Sequence, residues 1–196
     1  MRLQIIRQLQ QAAEPGIPGD LPLREAPPAG AGLVPAAVLV PLVDHSAGMT
    51  VLLTQRTRHL RDHAGQVSFP GGRVEDHDAD PVATALRETW EEVGMPPAQV
   101  EVVGELEPYT TITGFLVHPV VGIVTPGFIP VPDPFEVEAV FEVPLEHVLE
   151  PDNYRREQRS HRGELREYFV LDYPGFHIWG ATAAILVNLR RRLAGA

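Results

Sequence analysis

Within the stretch "ALRETWEEVG" at 85–94, Glu88, Glu91 and Glu92 sit three and four residues apart, with Arg87 beside them. The segment reads as one helix over 81–93. Asp80 is placed to cap its start, Pro81 fits the first helical position, Gly94 fits the position past its end, and Pro96-Pro97 forbid continuation. On that helix the glutamates share a face near the C-terminal end, where the backbone dipole is already negative. Like charges at these spacings also repel by a few tenths of a kcal/mol. A merely solvated face selected for helix stability would carry basic residues there. Several carboxylate oxygens converging on a hard divalent cation remove the conflict, and such a cation activates water and neutralises phosphate oxygens. Arg87 is placed to orient one glutamate by a charge-assisted hydrogen bond. The apolar residues Val82, Leu86, Trp90 and Val93 form the stripe expected to face the core, with the glutamates turned away from it.

Just before this helix, "SFPGGRVEDHDAD" supplies a tight glycine turn, Gly71-Gly72, that leads through an acidic loop to the helix start. Glycines there let the backbone approach a metal or phosphate closely. Further upstream Arg56, Arg58, His59, Arg61 and His63 form a local basic cluster suited to phosphates.

The elements that must position these groups are mostly strands. Apolar runs at 36–43, 50–56, 100–107 and 115–124 read as strands, and 136–143 alternates Val137, Ala139, Phe141 and Val143 with mostly glutamates, as a half-buried strand does. Residues 154–160 and 166–173 read as a hairpin. A second helix spans about 179–193, with Arg190, Arg191 and Arg192 at its end, where they complement the dipole. Residues 3–13 form a short helix, and the Pro/Gly/Ala-rich stretch 14–32 an extended arm. The organisation expected is an N-terminal helix and arm over 1–33 followed by one α/β domain over 34–196, layered as α/β/α.

Composition bounds the function. The 196 residues suit one principal core, and the net charge of −10 argues against a protein that grips nucleic acid by its phosphates. There is no cysteine, which excludes disulfides, cysteine-ligated zinc and thiol nucleophiles. No apolar run reaches the roughly 20 residues of a membrane span, and the first residues do not resemble a secretory signal, so a cytoplasmic protein without a membrane partner is expected. All sixteen basic residues are arginine, so arginine in place of lysine at any one position is not evidence of phosphate recognition.

Gly72, Asp78, Arg87, Glu88, Glu91, Glu92 and Gly94 together resemble the Nudix box. Two positions depart from it: Asp78 stands where glutamate is usual, with one extra residue before Arg87, and Thr89 occupies a site often apolar. The upstream segment 52–72 is similar to the signature of coenzyme A pyrophosphatases of the Nudix superfamily, with Leu52-Leu53-Thr54, Arg56, Arg61, Gly65 and Phe69-Pro70-Gly71-Gly72 at the expected intervals and Thr57 replacing Ser or Ala. The resemblance covers 52–95, about a quarter of the chain. It implies a Nudix fold, a mixed β-sheet sandwiched between α-helices. It implies Mg²⁺ or Mn²⁺ as cofactor, held by Glu88, Glu91, Glu92 and Gly72, with Arg87 supporting catalysis. Glu91 is the first candidate for the general base, Glu136 and Glu138 being alternatives. Arg56, Arg58, Arg61 and Gly71 are the residues expected at the substrate. The implied reaction is hydrolysis of the diphosphate of coenzyme A or its derivatives to 3′,5′-ADP and 4′-phosphopantetheine, by a monomer or homodimer. Another nucleoside diphosphate derivative such as ADP-ribose, or a Nudix sensor that binds without cleaving, are the alternatives.

Overall fold

The computed structural model describes residues 1–10, 16, 17, 19, 32–60, 63–161 and 164–194. In chain order these form α1 (Arg2–Gln10), β1 (Val34–His45), β2 (Gly48–Arg56), β3 (Val67–Ser68), β4 (Gly71–Arg73), α2 (Pro81–Val93), β5 (Val100–Glu105), β6 (Tyr109–Thr110), β7 (Phe115–Val124), β8 (Val137–Pro144), α3 (Leu145–Leu149), β9 (Tyr154–His161), β10 (Glu164–Tyr173), β11 (Phe176–Trp179) and α4 (Ala181–Ala194).

Strand β1 is apolar along most of its length because both of its faces are covered. Ala37, Leu39 and Val43 point to one side, into a cluster with Ala85, Val93 and Met95 around α2. Val40 and Leu42 point to the other, into a larger cluster that includes Ile5 and Leu9 of α1, Leu145 of α3 and Leu186 and Leu189 of α4. The alternation is the period of two that an extended chain imposes. The sheet between these clusters runs β3-β2-β1-β7-β5, with β4 added to β1, β6 to β7 and β8 to β2. It is mixed, since β1 and β7 are parallel and β1 and β2 antiparallel. A separate antiparallel sheet, β11-β10-β9, completes the fold. The expected α/β/α layering is therefore present.

Two polar residues of α4 are buried and hydrogen-bonded. Asn188 exchanges hydrogen bonds with the backbone of Ile17, accepting at 2.8 Å and donating at 3.1 Å, which ties part of the N-terminal arm to the helix. Thr182 donates to the Val67 carbonyl at 2.9 Å and fixes the start of α4 against β3. Most of the arm, including the end of the helix expected over 3–13, lies outside the described residues.

Helix α2 corrects one expectation. Its buried residues are Thr84, Ala85, Thr89, Glu92 and Val93. Trp90, assigned above to the core stripe, is 51% exposed, whereas Glu92 is only 4% exposed. Small side chains let α2 lie close on β1 and β4, and that close contact, rather than the position of the largest apolar group, set the helix rotation. Thr89 sits in the core because its hydroxyl donates to the Ala85 carbonyl at 2.6 Å, leaving only its methyl to be packed.

Candidate active site

The ends of α2 are held as the residue types require. Asp80 accepts from the Ala83 amide at 2.8 Å, and Gly94 closes the helix in the left-handed region at φ 71°. The acidic face thus has a fixed position over β4.

Arg87 organises that face. Its guanidinium donates to Asp78 through Nε at 3.0 Å and Nη2 at 2.9 Å, a two-pronged grip. It also donates to Glu88 at 2.9 Å, to Glu91 at 3.2 Å and to the Arg73 carbonyl at 3.1 Å. Asp78 is fixed in turn by the Thr84 hydroxyl at 2.8 Å and the Glu75 amide at 2.9 Å. Hydrogen bonding from Arg87 holds the Asp78 carboxyl well below the usual carboxylate range, and the same bond raises the pKa of Arg87. Asp78 is thus the anchor of the arginine, a role that its sequence position alone left open.

Glu92 is in a different situation. It accepts from the Gly71 amide at 3.1 Å and lies 3.8 Å from the Arg56 guanidinium. Burial outweighs both and pushes its pKa up to about 8, with the charges of Glu136 and Glu88 adding to the rise. Burial likewise raises the Glu88 pKa, against the opposing influence of Arg87.

The two glycines of β4 are required by this geometry. A Cβ on Gly72 would stand 2.4 Å from the Glu88 carboxyl carbon. Gly71 adopts φ 153°, and a Cβ there would stand 2.4 Å from the Ala37 carbonyl oxygen. The strand therefore presents bare backbone to the carboxylates.

Among the described residues, no three His, Asp or Glu side chains are drawn together as a ready metal cage. Glu88 and Glu91 instead share Arg87. The donor set nevertheless fits a hard divalent cation: these are oxygen ligands, one of them deeply buried with its charge disfavoured, beside a glycine cradle with no side chain to block approach.

A groove of about 1220 Å³ runs from this site between β1, β4, the loop at 111–115 and the β9–β10 hairpin. Arg56, Gly71 and Gly72 line it, as do His63, Gln66 and Phe69 from the upstream segment. Arg58 is not among the groove's walls; it is exposed and lies 3.8 Å from Glu138. Arg61 lies outside the described residues. Glu136 stands in the turn leading into β8, where its charge acts on both Glu88 and Glu92. The opposite walls, with Phe115, Tyr168, Trp179, Arg73 and Arg159, were invisible in the sequence because they converge from distant segments with no local motif.

Comparison with known proteins agrees with this fold. The family model of the NUDIX domain matches residues 33–163. The chain belongs to the Nudix family. It is 46% identical over 154 residues to the uncharacterized Nudix hydrolase NudL of Escherichia coli K12, covering 79% of this chain and 80% of that protein. Among solved structures it resembles the M. smegmatis Nudix hydrolase RenU, with a TM-score of 0.53 at 21% identity, covering 82% of this chain and 86% of that one. It also resembles a C. elegans Ap4A hydrolase, with a TM-score of 0.50 at 21% identity, covering 57% of this chain and 80% of that one. These structural likenesses bear on the Nudix fold. The chain is thus a Nudix hydrolase acting on a diphosphate, and the matched region contains the whole of α2 and β4.

Proposed function

We propose that this Nudix hydrolase cleaves the diphosphate of coenzyme A or its derivatives, yielding 3′,5′-ADP and 4′-phosphopantetheine or its acyl form. The observation that carries the reading is that the segment similar to the coenzyme A signature also forms one wall of the groove. Arg56, Phe69, Gly71 and Gly72 all come from it, and Arg56 stands 3.8 Å from the buried Glu92. The groove is also larger than the roughly 300–1,000 Å³ of a small-ligand pocket, as a long nucleotide conjugate needs.

Glu88, Glu91 and Glu92, with the Gly72 carbonyl, would hold Mg²⁺ or Mn²⁺, which supplies charge neutralisation at the diphosphate and activation of water. Arg87 keeps Glu88 and Glu91 in place and is itself fixed by Asp78. Arg56 faces the groove and offers positive charge to a diphosphate oxygen. Glu91, the more exposed of the three, is the group assigned to accept the proton of the attacking water, and Glu136 is placed as its alternative.

The test is a screen of nucleoside diphosphate derivatives with Mg²⁺ or Mn²⁺, with products followed by mass. Coenzyme A should give 3′,5′-ADP and phosphopantetheine with a kcat/KM above that for ADP-ribose. A protein that cleaved ADP-ribose far better than coenzyme A would overturn the substrate assignment and leave the diphosphate hydrolase intact.

A further inference from the structure

The hairpin β9–β10 carries an arrangement that the diphosphate chemistry does not use. Arg159 and Arg166 face each other directly across the two strands. The other arginines of β9 have acidic partners: Arg155 pairs with Asp172 at 2.7 Å and with Glu157, and Arg156 pairs with Glu167 at 2.5 Å. Among the described residues Arg159 meets no carboxylate. Its guanidinium lies over the Trp179 ring, 5.8 Å from the centroid. Tyr168 meets the same ring edge to face at 5.3 Å, with its hydroxyl donating to Glu157 at 2.8 Å. All four residues, Arg159, Arg166, Tyr168 and Trp179, line the groove that begins at the carboxylate site.

In a chain of net charge −10, two opposed cations beside an aromatic pair match a ligand with an anion next to a flat ring. We infer that Arg159 and Arg166 bind the 3′-phosphate of coenzyme A, with the neighbouring Trp179 and Tyr168 receiving its adenine. The inference rests on the coenzyme A reading and deepens it: the helix acts on the diphosphate, and the hairpin distinguishes nucleotides bearing a 3′-phosphate from those without it. Trp179 offers the base a π surface, and the paired guanidinium groups offer several donors to one phosphate.

The decisive comparison is kcat/KM for coenzyme A against 3′-dephospho-coenzyme A, in the wild type, Arg159→Gln, Arg159→Lys and Arg156→Gln. The wild type should favour coenzyme A by roughly tenfold or more, the scale of one charged hydrogen bond lost. Arg159→Gln should bring that ratio towards one, chiefly through KM for coenzyme A, while hydrolysis of the dephospho substrate stays within about twofold. Arg159→Lys should restore part of the ratio, and Arg156→Gln should leave it unchanged. Calorimetric titration should show 3′,5′-ADP binding more tightly than 5′-AMP to the wild type, with the difference reduced in Arg159→Gln. Wild-type protein that cleaves coenzyme A without preferring it, or an Arg159→Gln variant that loses activity equally on both substrates, would overturn the subsite and spare the coenzyme A assignment. Wild-type protein that cleaves neither substrate would overturn the coenzyme A assignment, and the subsite with it.

Discussion

Helices α2 and α4 share the same backbone dipole and end in opposite charges. At the end of α4, Arg192 donates to Glu107 at 2.9 Å and to the Leu9 carbonyl at 3.1 Å, and Arg190 lies over the Tyr154 ring at 5.4 Å. Positive charge at a helix C-terminus is favourable, and these contacts also bind α1 and β9 to the helix. At the end of α2, Glu91 and Glu92 oppose the dipole and repel Glu88, and Glu92 is buried besides. The contrast separates charge placed for stability from charge placed against it. Where repulsion and burial are tolerated together, chemistry rather than folding accounts for the residue choice.

The sharpest way to break this contrast is to neutralise one residue at each end. Glu92→Gln should lower kcat at saturating metal by at least ~10²-fold while the circular dichroism spectrum stays native, because the charge of a proposed metal ligand is removed without changing shape. Near-normal turnover in that variant would deny Glu92 its role. Arg192→Ala should leave kcat within about twofold.

Asp78→Asn sharpens the comparison within α2 itself, since among the described residues Asp78 is the only anionic partner of Arg87 that is not a proposed metal ligand. Losing one charge-assisted bond should destabilise the metal-free protein by about 2 kcal/mol, measured by urea unfolding, and should also reduce kcat as Glu88 and Glu91 lose their fixed arginine. Unchanged stability would mean that the clamp is not held from Asp78.

A pH series tests the cost of burying Glu92. Its folded pKa of about 8 lies above the ordinary glutamate value of 4.5, so the folded state keeps a proton that the unfolded state has released. The resulting stability is fully present below about pH 4.5 and is lost as pH rises through about 8. Metal-free wild type should therefore weaken across that window more steeply than Glu92→Gln. At pH 8 the variant should melt roughly 2–4 °C higher, the shift that about 1 kcal/mol gives in a domain of this size. Parallel melting curves would remove the buried-charge argument.

The smallest effects belong to α4. Arg192→Ala should cost about 1 kcal/mol from its ion pair and carbonyl bond, whereas Arg191, which the structure leaves exposed, should change stability by less than about 0.5 kcal/mol when replaced by alanine. Equal losses at the two positions would mean that the dipole, and not the specific contacts, explains the arginines.

The carboxylate helix was legible in the sequence because its signals are local. Asp80, Pro81 and Gly94 fix its ends whatever it packs on, and i,i+3 and i,i+4 spacing alone brings Glu88, Glu91 and Glu92 to one region of its surface. The strands β1, β2, β7 and β8 were legible for the same reason, being set by apolar runs and by period-two alternation. Local pattern could not decide which way the helix would roll. The sequence alone makes Trp90 the natural core residue, yet the bare backbone of Gly71 and Gly72 and the small residues Ala85 and Thr89 brought the other face down on the sheet and buried Glu92. Nor could it join Arg159 to Trp179, or either to Gly72, since nothing within a strand records which distant strand will share its groove. Periodicity, caps and spacing thus determined the elements and the oxygen-rich chemistry. Tertiary packing decided which carboxylate is buried, which acid anchors Arg87, and which arginines face the groove, because burial and long-range pairing exist only once the layers close.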